Sequence, residues 1–270
     1  MHCLFQVRRG AVRVAYACSK LGLFDMAKEY LREVELGFPI RQEIRSHPEF
    51  AVLLRKKTEI ALDSYEFHWP LNEVDVQGIL SQANEDLLQA EEILSNSFQF
   101  KRQIASTKME KARLSILMGN YGKAYDDIRS ALNNLPRYCD YLKADFSLTM
   151  SDAERGLNMV NRSKVSLETA ENIYRNIFGD DHPMVAVTLQ KQCSLHLDFE
   201  HKSNTGKNEA RKYFEASHQA CEVLKSNLEQ QLAGIGIQTG LLRNYSFDQH
   251  PILKRQKSLH KRLTRNQGAW

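Results

Sequence analysis

Residues 112–136 read ARLSILMGNYGKAYDDIRSALNNLP and decide the fold class. Gly119 marks a turn, because Met118-Gly119-Asn120 interrupts two runs of helix-forming residues. The second run has small and apolar residues at helical spacing after an aromatic residue, and a proline ends it: Tyr121, Ala124, Ile128, Ala131 and Pro136. This pattern predicts two amphipathic helices that pack as an antiparallel hairpin.

The same order of residues occurs near the N-terminus, over residues 11–39. A glycine again marks the turn, and small residues stand where the two helices would approach most closely. The matching positions are Ala15, Gly22, Phe24, Ala27 and Pro39. Two copies of one hairpin pattern favour a repeat architecture, since a single helical hairpin must bury its apolar face against a neighbour.

These two segments resemble the tetratricopeptide repeat, a helical hairpin of about 34 residues. The family's order of a small residue, an aromatic residue, alanine and proline is matched by Ala15, Phe24, Ala27 and Pro39, and by Ala112, Tyr121, Ala124 and Pro136. Lys111 and Ser115 depart from it. The resemblance implies an all-α superhelix of about ten helices in antiparallel hairpins, with a groove that takes peptides or proteins.

A second cue is the linker Phe178-Gly179-Asp180-Asp181-His182-Pro183. Gly179 suits the left-handed position after a helix, and Pro183 suits the first turn of the next one. The linker is similar to that of kinesin light chain repeats and of the helical domain of SET-and-MYND methyltransferases. This resemblance covers residues 166–224. It implies a non-catalytic module, since the catalytic part's cysteine-rich zinc sites are absent from the sequence.

The composition favours helix along the whole chain. Among 270 residues there are only 6 prolines and 13 glycines, while 42% are hydrophobic and 26% are charged. No apolar run approaches the length of about 18 residues that a membrane span requires. The N-terminus also lacks the pattern of a secretory signal. We therefore expect no membrane span and a cytoplasmic location.

Charge is unevenly distributed along the chain. The formal net charge is +4, but residues 243–270 carry seven Lys or Arg against Asp248 alone. Residues 231–242 are rich in glycine. We therefore expect a degenerate helical repeat domain over 1–230, a glycine-rich linker over 231–242 and a basic, disordered tail over 243–270.

The basic tail carries two short motifs. One has the form of a nuclear import signal, which adds the nucleus as a second expected compartment. Its residues are Lys254, Arg255, Lys257, Lys261 and Arg262. The other motif places Ser258 three residues after Arg255, as in a site for a basophilic kinase. The tail could also contact nucleic acid or an anionic surface, and an inert solubilising tail is the alternative.

No constellation of catalytic residues is found in the sequence. The five cysteines include no Cys-x-x-Cys pair, so we expect reduced thiols in the core. The nine histidines include no H-E-x-x-H pair. Gly234, Gly236 and Gly240 do not have the spacing of a dinucleotide-binding loop. We therefore expect a protein without enzymatic activity, metal or cofactor.

The candidate partner-binding residues are Arg9 and Arg13. They are one helical turn apart and project together from the first helix. In chaperone-binding tetratricopeptide domains, basic residues at matching positions clamp a terminal carboxylate. A solvated basic face is the alternative here, and we also expect the run Arg55-Lys56-Lys57 to face solvent.

The sequence thus predicts a non-catalytic adaptor that binds a protein or peptide partner in its groove. Two alternatives remain open. One is association with nucleic acid, or with an anionic surface, through the basic tail. The other is that the chain is the helical accessory module of a SET-and-MYND-type methyltransferase, without the catalytic part.

Overall fold

A computed structural model describes residues 2–36, 46–68, 73–95, 100–133, 135, 139–200, 203–239 and 250–265, with side chains for all of these except 2–9, 68, 73–75, 231–239 and 265. These ranges contain eleven helices and no strand, so the prediction of an all-α fold is confirmed. The helices are α1 (His2–Lys20), α2 (Phe24–Leu36), α3 (Pro48–His68), α4 (Glu73–Ser95), α5 (Lys101–Leu117), α6 (Tyr121–Asn133), α7 (Asp140–Gly156), α8 (Val160–Phe178), α9 (Pro183–Phe199), α10 (Asn204–Thr239) and α11 (Pro251–Arg265). Within the ranges described, no helix is long and apolar enough to cross a membrane.

Consecutive helices pair as hairpins, in the order α1 with α2, α3 with α4, α5 with α6, α7 with α8, and α9 with α10. The chain divides into two compact units, Met1–Cys139 and Asp140–Trp270. In the first unit, the first helices of the hairpins contact each other in the order α1, α3, α5. In the second unit, α9 also contacts α8 and α11. The expected single domain over 1–230 therefore does not match this division.

Three hairpin turns share one backbone arrangement. Each contains one residue with a left-handed backbone, namely Gly22 with φ 80°, Gly119 with φ 77° and Asn158 with φ 59°. The amide after each of these donates to the carbonyl five residues earlier, at 2.9, 2.8 and 2.8 Å. This is a Schellman motif, which satisfies the last carbonyls of the first helix. Both glycine turns lie where the sequence placed them.

Small residues let the two helices of a hairpin approach closely. The two predicted copies bury alanine at both contact positions, with no exposure at any of them: Ala15, Ala27, Ala112 and Ala124. The hairpin of α7 and α8 uses serines instead, and Ser163 Oγ donates to the carbonyl oxygen of Ser151 at 3.0 Å. We did not recognise this third copy in the sequence, because Asn158 replaces the turn glycine and serines replace the alanines.

The other residues expected to define the repeats are placed as follows. Phe24 is 3% exposed and Ala131 is 2% exposed, so both lie in hairpin cores. Tyr121 is half-buried at the first residue of α6. Pro39 and Pro136 lie outside the described residues.

Three helices begin with a His-Pro pair. The linker predicted at Gly179 is one of them: Gly179 has φ 85°, and His182 Nδ1 accepts the amide of Met184 at 3.2 Å at the start of α9. His47 Nδ1 accepts the amide of Glu49 at 3.2 Å at the start of α3. His250 holds the same position before α11, and its Nδ1 is buried without a hydrogen-bond partner among the described residues. Imidazole thus takes the place of the usual serine or aspartate cap.

The expectations of a flexible linker and a disordered tail are wrong where the structure describes them. Residues 231–239 continue helix α10, and residues 251–265 form helix α11. The tail folds because Leu253, Gln256 and Leu259 recur every three residues and are buried together. The high positive charge concealed this amphipathic pattern. Residues 240–249 and 266–270 lie outside the described residues.

Candidate protein-binding face

One side of α1, α3 and α5 carries a row of charged side chains that crosses all three helices. We call this surface the first-helix face. It consists of Lys20 on α1, of Arg55, Lys56, Glu59, Asp63 and Glu66 on α3, and of Glu110 and Arg113 on α5. The face contains four bases and four acids, so it carries both signs of charge.

Asp63 joins the three helices of this face. Lys20 Nζ lies 2.7 Å from Asp63 Oδ2, and Arg113 Nη2 lies 2.8 Å from Asp63 Oδ1. Asp63 and Arg113 are 17% and 18% exposed, while Lys20 is 46% exposed. A carboxylate that accepts from two cations in a partly buried site is held in one orientation. The bridge therefore sets the register of α1, α3 and α5.

The ion pairs of this bridge shift the ionisation of its members. Burial by itself would raise the pKa of Asp63, but Lys20 and Arg113 outweigh it and hold the pKa well below its usual range. Desolvation by itself would lower the pKa of Lys20, yet the carboxylates of Asp63 and Glu59 raise it. The ion pairs therefore favour the charged form of both groups.

Glu110 behaves in the opposite way. Its side chain is 1% exposed, and Arg113 lies 3.0 Å from its Oε2, while its Oε1 has no hydrogen-bond partner among the described residues. Burial raises the pKa of Glu110 to about 7, although the positive charge of Arg113 pulls the pKa downward. Glu110 is thus the member of the face that changes its charge near neutral pH.

The expectation that Arg55, Lys56 and Lys57 face solvent is wrong. Their side chains are only 14%, 20% and 29% exposed. Lys56 Nζ lies 2.7 Å from Glu59 Oε2 and 3.7 Å from the centre of the Tyr16 ring. Burial lowers the pKa of Lys56, against the attraction of Glu59. Arg55 and Lys56 pack along the first-helix face, because their stems are partly buried while their charges find partners. Lys57 instead pairs with Glu35 on α2 and Asp86 on α4.

The second unit repeats the same order of charges. Arg155 on α7 lies 2.9 Å from Asp198 on α9, and Arg262 on α11 pairs with the other oxygen of Asp198. Lys191 and Asp152 make a further link between α9 and α7 at 2.6 Å. Base, acid and base thus cross α7, α9 and α11, as they cross α1, α3 and α5 in the first unit.

Helix α11 is seated on α9 and α10 through a buried amide. Gln256 Oε1 accepts from Gln190 Nε2 at 3.0 Å and from Ser217 Oγ at 2.9 Å, while Gln256 Nε2 donates to the carbonyl of Phe214 at 3.2 Å. Gln190 and Ser217 have no exposure and Gln256 is 6% exposed. A buried polar network of this kind fixes the register of a helix, since a slip would leave its members unpaired.

The predicted tail residues are divided between the two sides of α11. Arg262 is bound to Asp198, and Arg255 is half-buried. The remaining residues are exposed on its outer side: Lys254, Lys257, Ser258 and Lys261. The roles of this cluster in nuclear import, and of Ser258 in phosphorylation, stay predictions.

Arg13 is exposed on α1, and no ion pair involves it within the described side chains. It lies two turns before Lys20 on the same side of the helix, and so at the edge of the first-helix face. Arg9 belongs to α1 as well, but its side chain lies outside the described residues. A clamp formed by Arg9 and Arg13 stays a prediction.

The described cysteines are Cys18, Cys139, Cys193 and Cys221, and each is buried and unpaired, as expected for core thiols. Burial raises the pKa of both Cys193 and Cys221 to about 12. These two thiols are therefore neutral and poor nucleophiles at neutral pH. Across the described ranges, no three His, Cys, Asp or Glu side chains cluster as metal ligands would.

No protein-family model matches the chain, and no curated protein matches it. Among solved structures, the chain is similar to a Rap protein that was crystallised with competence and sporulation factor. The sequences are 12% identical, the TM-score is 0.42, and the match covers 97% of this chain and 99% of that one. A similarity this distant says nothing about what this chain binds.

Sequence reasoning missed the residues that organise both charged rows. Asp63, Arg113 and Asp198 stand in helices without any recognisable motif, and the pairs that join different helices through them span 43 to 64 positions. Aligning the hairpins on Gly22, Gly119 and Asn158 gives no common signal. The helices α1 and α7 carry a base in their last turn, and α5 does not.

Proposed function

We propose that the chain is a non-catalytic protein-binding module, and that a peptide or protein partner lies across the first-helix face of the first unit. The observation that carries this proposal is the row of paired charges over α1, α3 and α5, which is partly open to solvent. Lys20 and Glu66 are 46% and 36% exposed while their charged atoms are already held by Asp63 and Arg113. Side chains ordered in advance lose less entropy when a partner binds.

The chemistry of the face suits a partner with both acidic and basic side chains. Arg13 and Lys20 give α1 a positive edge, and Glu59 and Glu66 place negative charge on α3. A face with both signs of charge favours a partner whose charges are opposite at each contact, because any other arrangement places like charges next to each other. A uniformly acidic or uniformly basic partner fits this face less well.

The test replaces Arg13 with a photo-crosslinking amino acid in the full-length protein. We expect light to join the protein at this position to one partner in a fixed proportion, and we expect Arg13→Glu to lose that partner in affinity purification. The matched control is Arg32, which is exposed on the second helix α2. Crosslinks of equal yield from both positions, or loss of the partner from Arg32→Glu alone, would place the binding surface elsewhere.

A second candidate function is association with nucleic acid through α11. Lys254, Lys257 and Lys261 lie on one exposed side of this helix, and residues 251–265 include no acidic residue. Deleting 243–270 would not test this function cleanly, since the deletion removes a packed helix. Replacing the three lysines with glutamine should instead abolish binding to a labelled single strand, and binding by the wild type should fall steeply with salt.

The third interpretation, a helical accessory module of a SET-and-MYND-type methyltransferase, stays a prediction. Its support is the linker that ends at Pro183. It would require a coding region for the catalytic part upstream in the same gene, and reading the genomic sequence there tests it directly.

A further inference from the structure

Helix α11 differs from the other first helices in how it is held. Within the described part of the chain, α1, α3, α5, α7 and α9 each pack against a second helix of their own hairpin, and α11 does not. Only Leu253, Gln256 and Leu259 are fully buried among its described side chains. An element with so few buried contacts belongs to the part of a protein that opens most readily.

The surface beneath the two leucines of α11 is apolar. Leu253 packs on Ala186 and Cys221, and Leu259 packs on Cys193 and Leu197. These residues come from α9 and α10, which form a complete hairpin without α11. The hairpin therefore presents a shallow helix-binding seat, which we call the α11 seat.

Polar contacts at the α11 seat recognise particular side chains. Both ends of the Gln256 amide are bound, the oxygen by Gln190 and Ser217 and the nitrogen by the carbonyl of Phe214. Gln190 Nε2 also donates to the carbonyl of Ile252 at 3.0 Å. A leucine in place of Gln256 would remove the three hydrogen bonds of this amide from a buried site.

A second polar contact lies two turns further along α11. Arg262 donates to Ser194 Oγ at 3.0 Å and pairs with Asp198. The α11 residues that contact the seat in this way are therefore spaced three positions apart: Leu253, Gln256, Leu259 and Arg262. A helix that only shielded the apolar surface would not need Gln256 or Arg262.

We propose that the α11 seat is a receptor for a helix with the pattern Leu-x-x-Gln-x-x-Leu-x-x-Arg, which α11 occupies in this chain and which a partner protein carrying the same pattern can occupy in its place. Recognition is of the helix-in-groove kind, with leucines as anchors and the amide and guanidinium as specificity contacts. The seat belongs to the second unit. The proposal is therefore independent of the binding proposed for the first-helix face.

Cys193 and Cys221 report whether the seat is covered. Both are at most 1% exposed and lie under the two leucines of α11. When α11 leaves, the thiols become accessible to an alkylating reagent. Cys18 is buried in the first unit and serves as the internal reference in the same molecule.

The first step of the experiment opens the seat in the full-length protein. Leu259→Asp should raise the alkylation rates of Cys193 and Cys221 by about 30-fold or more, because a buried leucine is lost. Ser258→Asp adds the same residue on the exposed side and should leave both rates near those of the wild type. Arg262→Glu, which places two carboxylates together, is a milder second variant and should raise the rates roughly 10-fold.

The second step adds the helix back as a separate molecule. A synthetic peptide of residues 249–266 should restore protection of both thiols in Leu259→Asp and in Arg262→Glu. A peptide that carries Gln256→Leu has the same charge and should bind roughly 10-fold more weakly, since it cannot make the three hydrogen bonds of the Gln256 amide. Alkylation at each cysteine is measured by mass spectrometry.

Three results would overturn the proposal. If both thiols stay protected in Leu259→Asp and Arg262→Glu, α11 does not cover the seat. If the wild-type peptide restores no protection, the seat does not accept a helix from another molecule. If the two peptides bind equally well, the seat does not read the glutamine. Rapid alkylation of Cys18 in Leu259→Asp would show that this variant is unfolded as a whole. In that case the alkylation rates and the peptide protection in Arg262→Glu decide the outcome.

Discussion

Arg113 donates to the carboxylate of Asp63 at 2.8 Å, and this pair joins α5 to α3 across the first-helix face. Each residue is less than one-fifth exposed. The same order of base, acid and base recurs across the first helices of the second unit, at Arg155, Asp198 and Arg262. Stacked first helices in both units are thus linked by a shared carboxylate, in addition to apolar packing.

Breaking this pair should weaken the first unit. Arg113→Met leaves Glu110 without a paired cation and Asp63 with Lys20 alone, so we expect the free energy of unfolding to fall by about 3 kcal/mol. Urea-induced unfolding, with Cys18 alkylation as the probe of the first unit, measures the loss. Arg129→Met, on the exposed side of α6, is the control and should change stability by less than about 0.5 kcal/mol. Equal effects of the two variants would contradict the role of the bridge.

Glu110 should make the first unit less stable as the pH rises from about 4.5 to above 7. Because folding raises its pKa from 4.5 to about 7, its contribution to stability is present below about pH 4.5 and is lost as the pH rises through about 7. Relative to Glu110→Gln, the wild type should lose about 3 kcal/mol of unfolding free energy between about pH 4.5 and pH 8.

The measurement for Glu110 is urea-induced unfolding of both proteins across this pH range. Glu66→Gln removes a more exposed carboxyl that contacts the same arginine, and it is the matched control. A difference between wild type and Glu110→Gln that does not vary with pH would show that Glu110 is ionised in the fold throughout the range.

His250 should make the second unit sensitive to acid. Burial lowers its pKa to about 4, so its contribution to stability is present above about pH 6.5 and is lost as the pH falls toward 4. Between pH 7 and pH 5 we expect a loss of about 2 kcal/mol, which His250→Asn should remove. Cys221 alkylation at the two pH values, corrected for the intrinsic reactivity of a free thiol, measures it. His260→Asn, on the exposed side of α11, should keep the acid sensitivity of the wild type.

An alanine at Gly119 should destabilise the hairpin turn, whereas an alanine at the glycine three residues later should not. Gly119 has φ 77°, and a methyl group there would meet no atom within 4 Å, so the cost of Gly119→Ala is the left-handed backbone alone, about 1 kcal/mol. Gly122 lies inside α6 with equally open space, so Gly122→Ala should stabilise the protein by about 0.5–1 kcal/mol. Thermal unfolding of the two variants gives the opposite signs. Shifts of the same sign would contradict the assigned turn.

Part of the fold could be predicted because its signals are local. Gly22 and Gly119 mark turns that need a left-handed residue, and the alanines around them mark close helix contacts. The copy at Asn158 was missed because asparagine also adopts this backbone and serine also fits the contact. Recognising it required the hydrogen-bond pattern of the turn, which is a property of the folded backbone.

The candidate site could be predicted far less well. Arg13 was found as a base on the first helix, and the structure leaves it exposed at the edge of the first-helix face. Arg55 and Lys56 were assigned to solvent, although Glu59 lies one helical turn after them on the same helix and pairs with both. The Tyr16 ring, which Lys56 also contacts, reaches this lysine only when α1 and α3 pack.

The sequence by itself determined the all-α class, the hairpin unit and the positions of two turns, because helical periodicity and left-handed glycines act over a few residues. The tertiary structure decided which charges meet and what the basic tail does. Arg262 reaches Asp198 across 64 residues, and Gln256 reaches Gln190 across 66. From the charge of residues 243–270 alone, Arg262 is expected in a disordered tail exposed to solvent. In the structure, Leu253 and Leu259 pack on α9 and α10 and make this segment a helix, because burial of apolar surface offsets part of the entropy cost of ordering it.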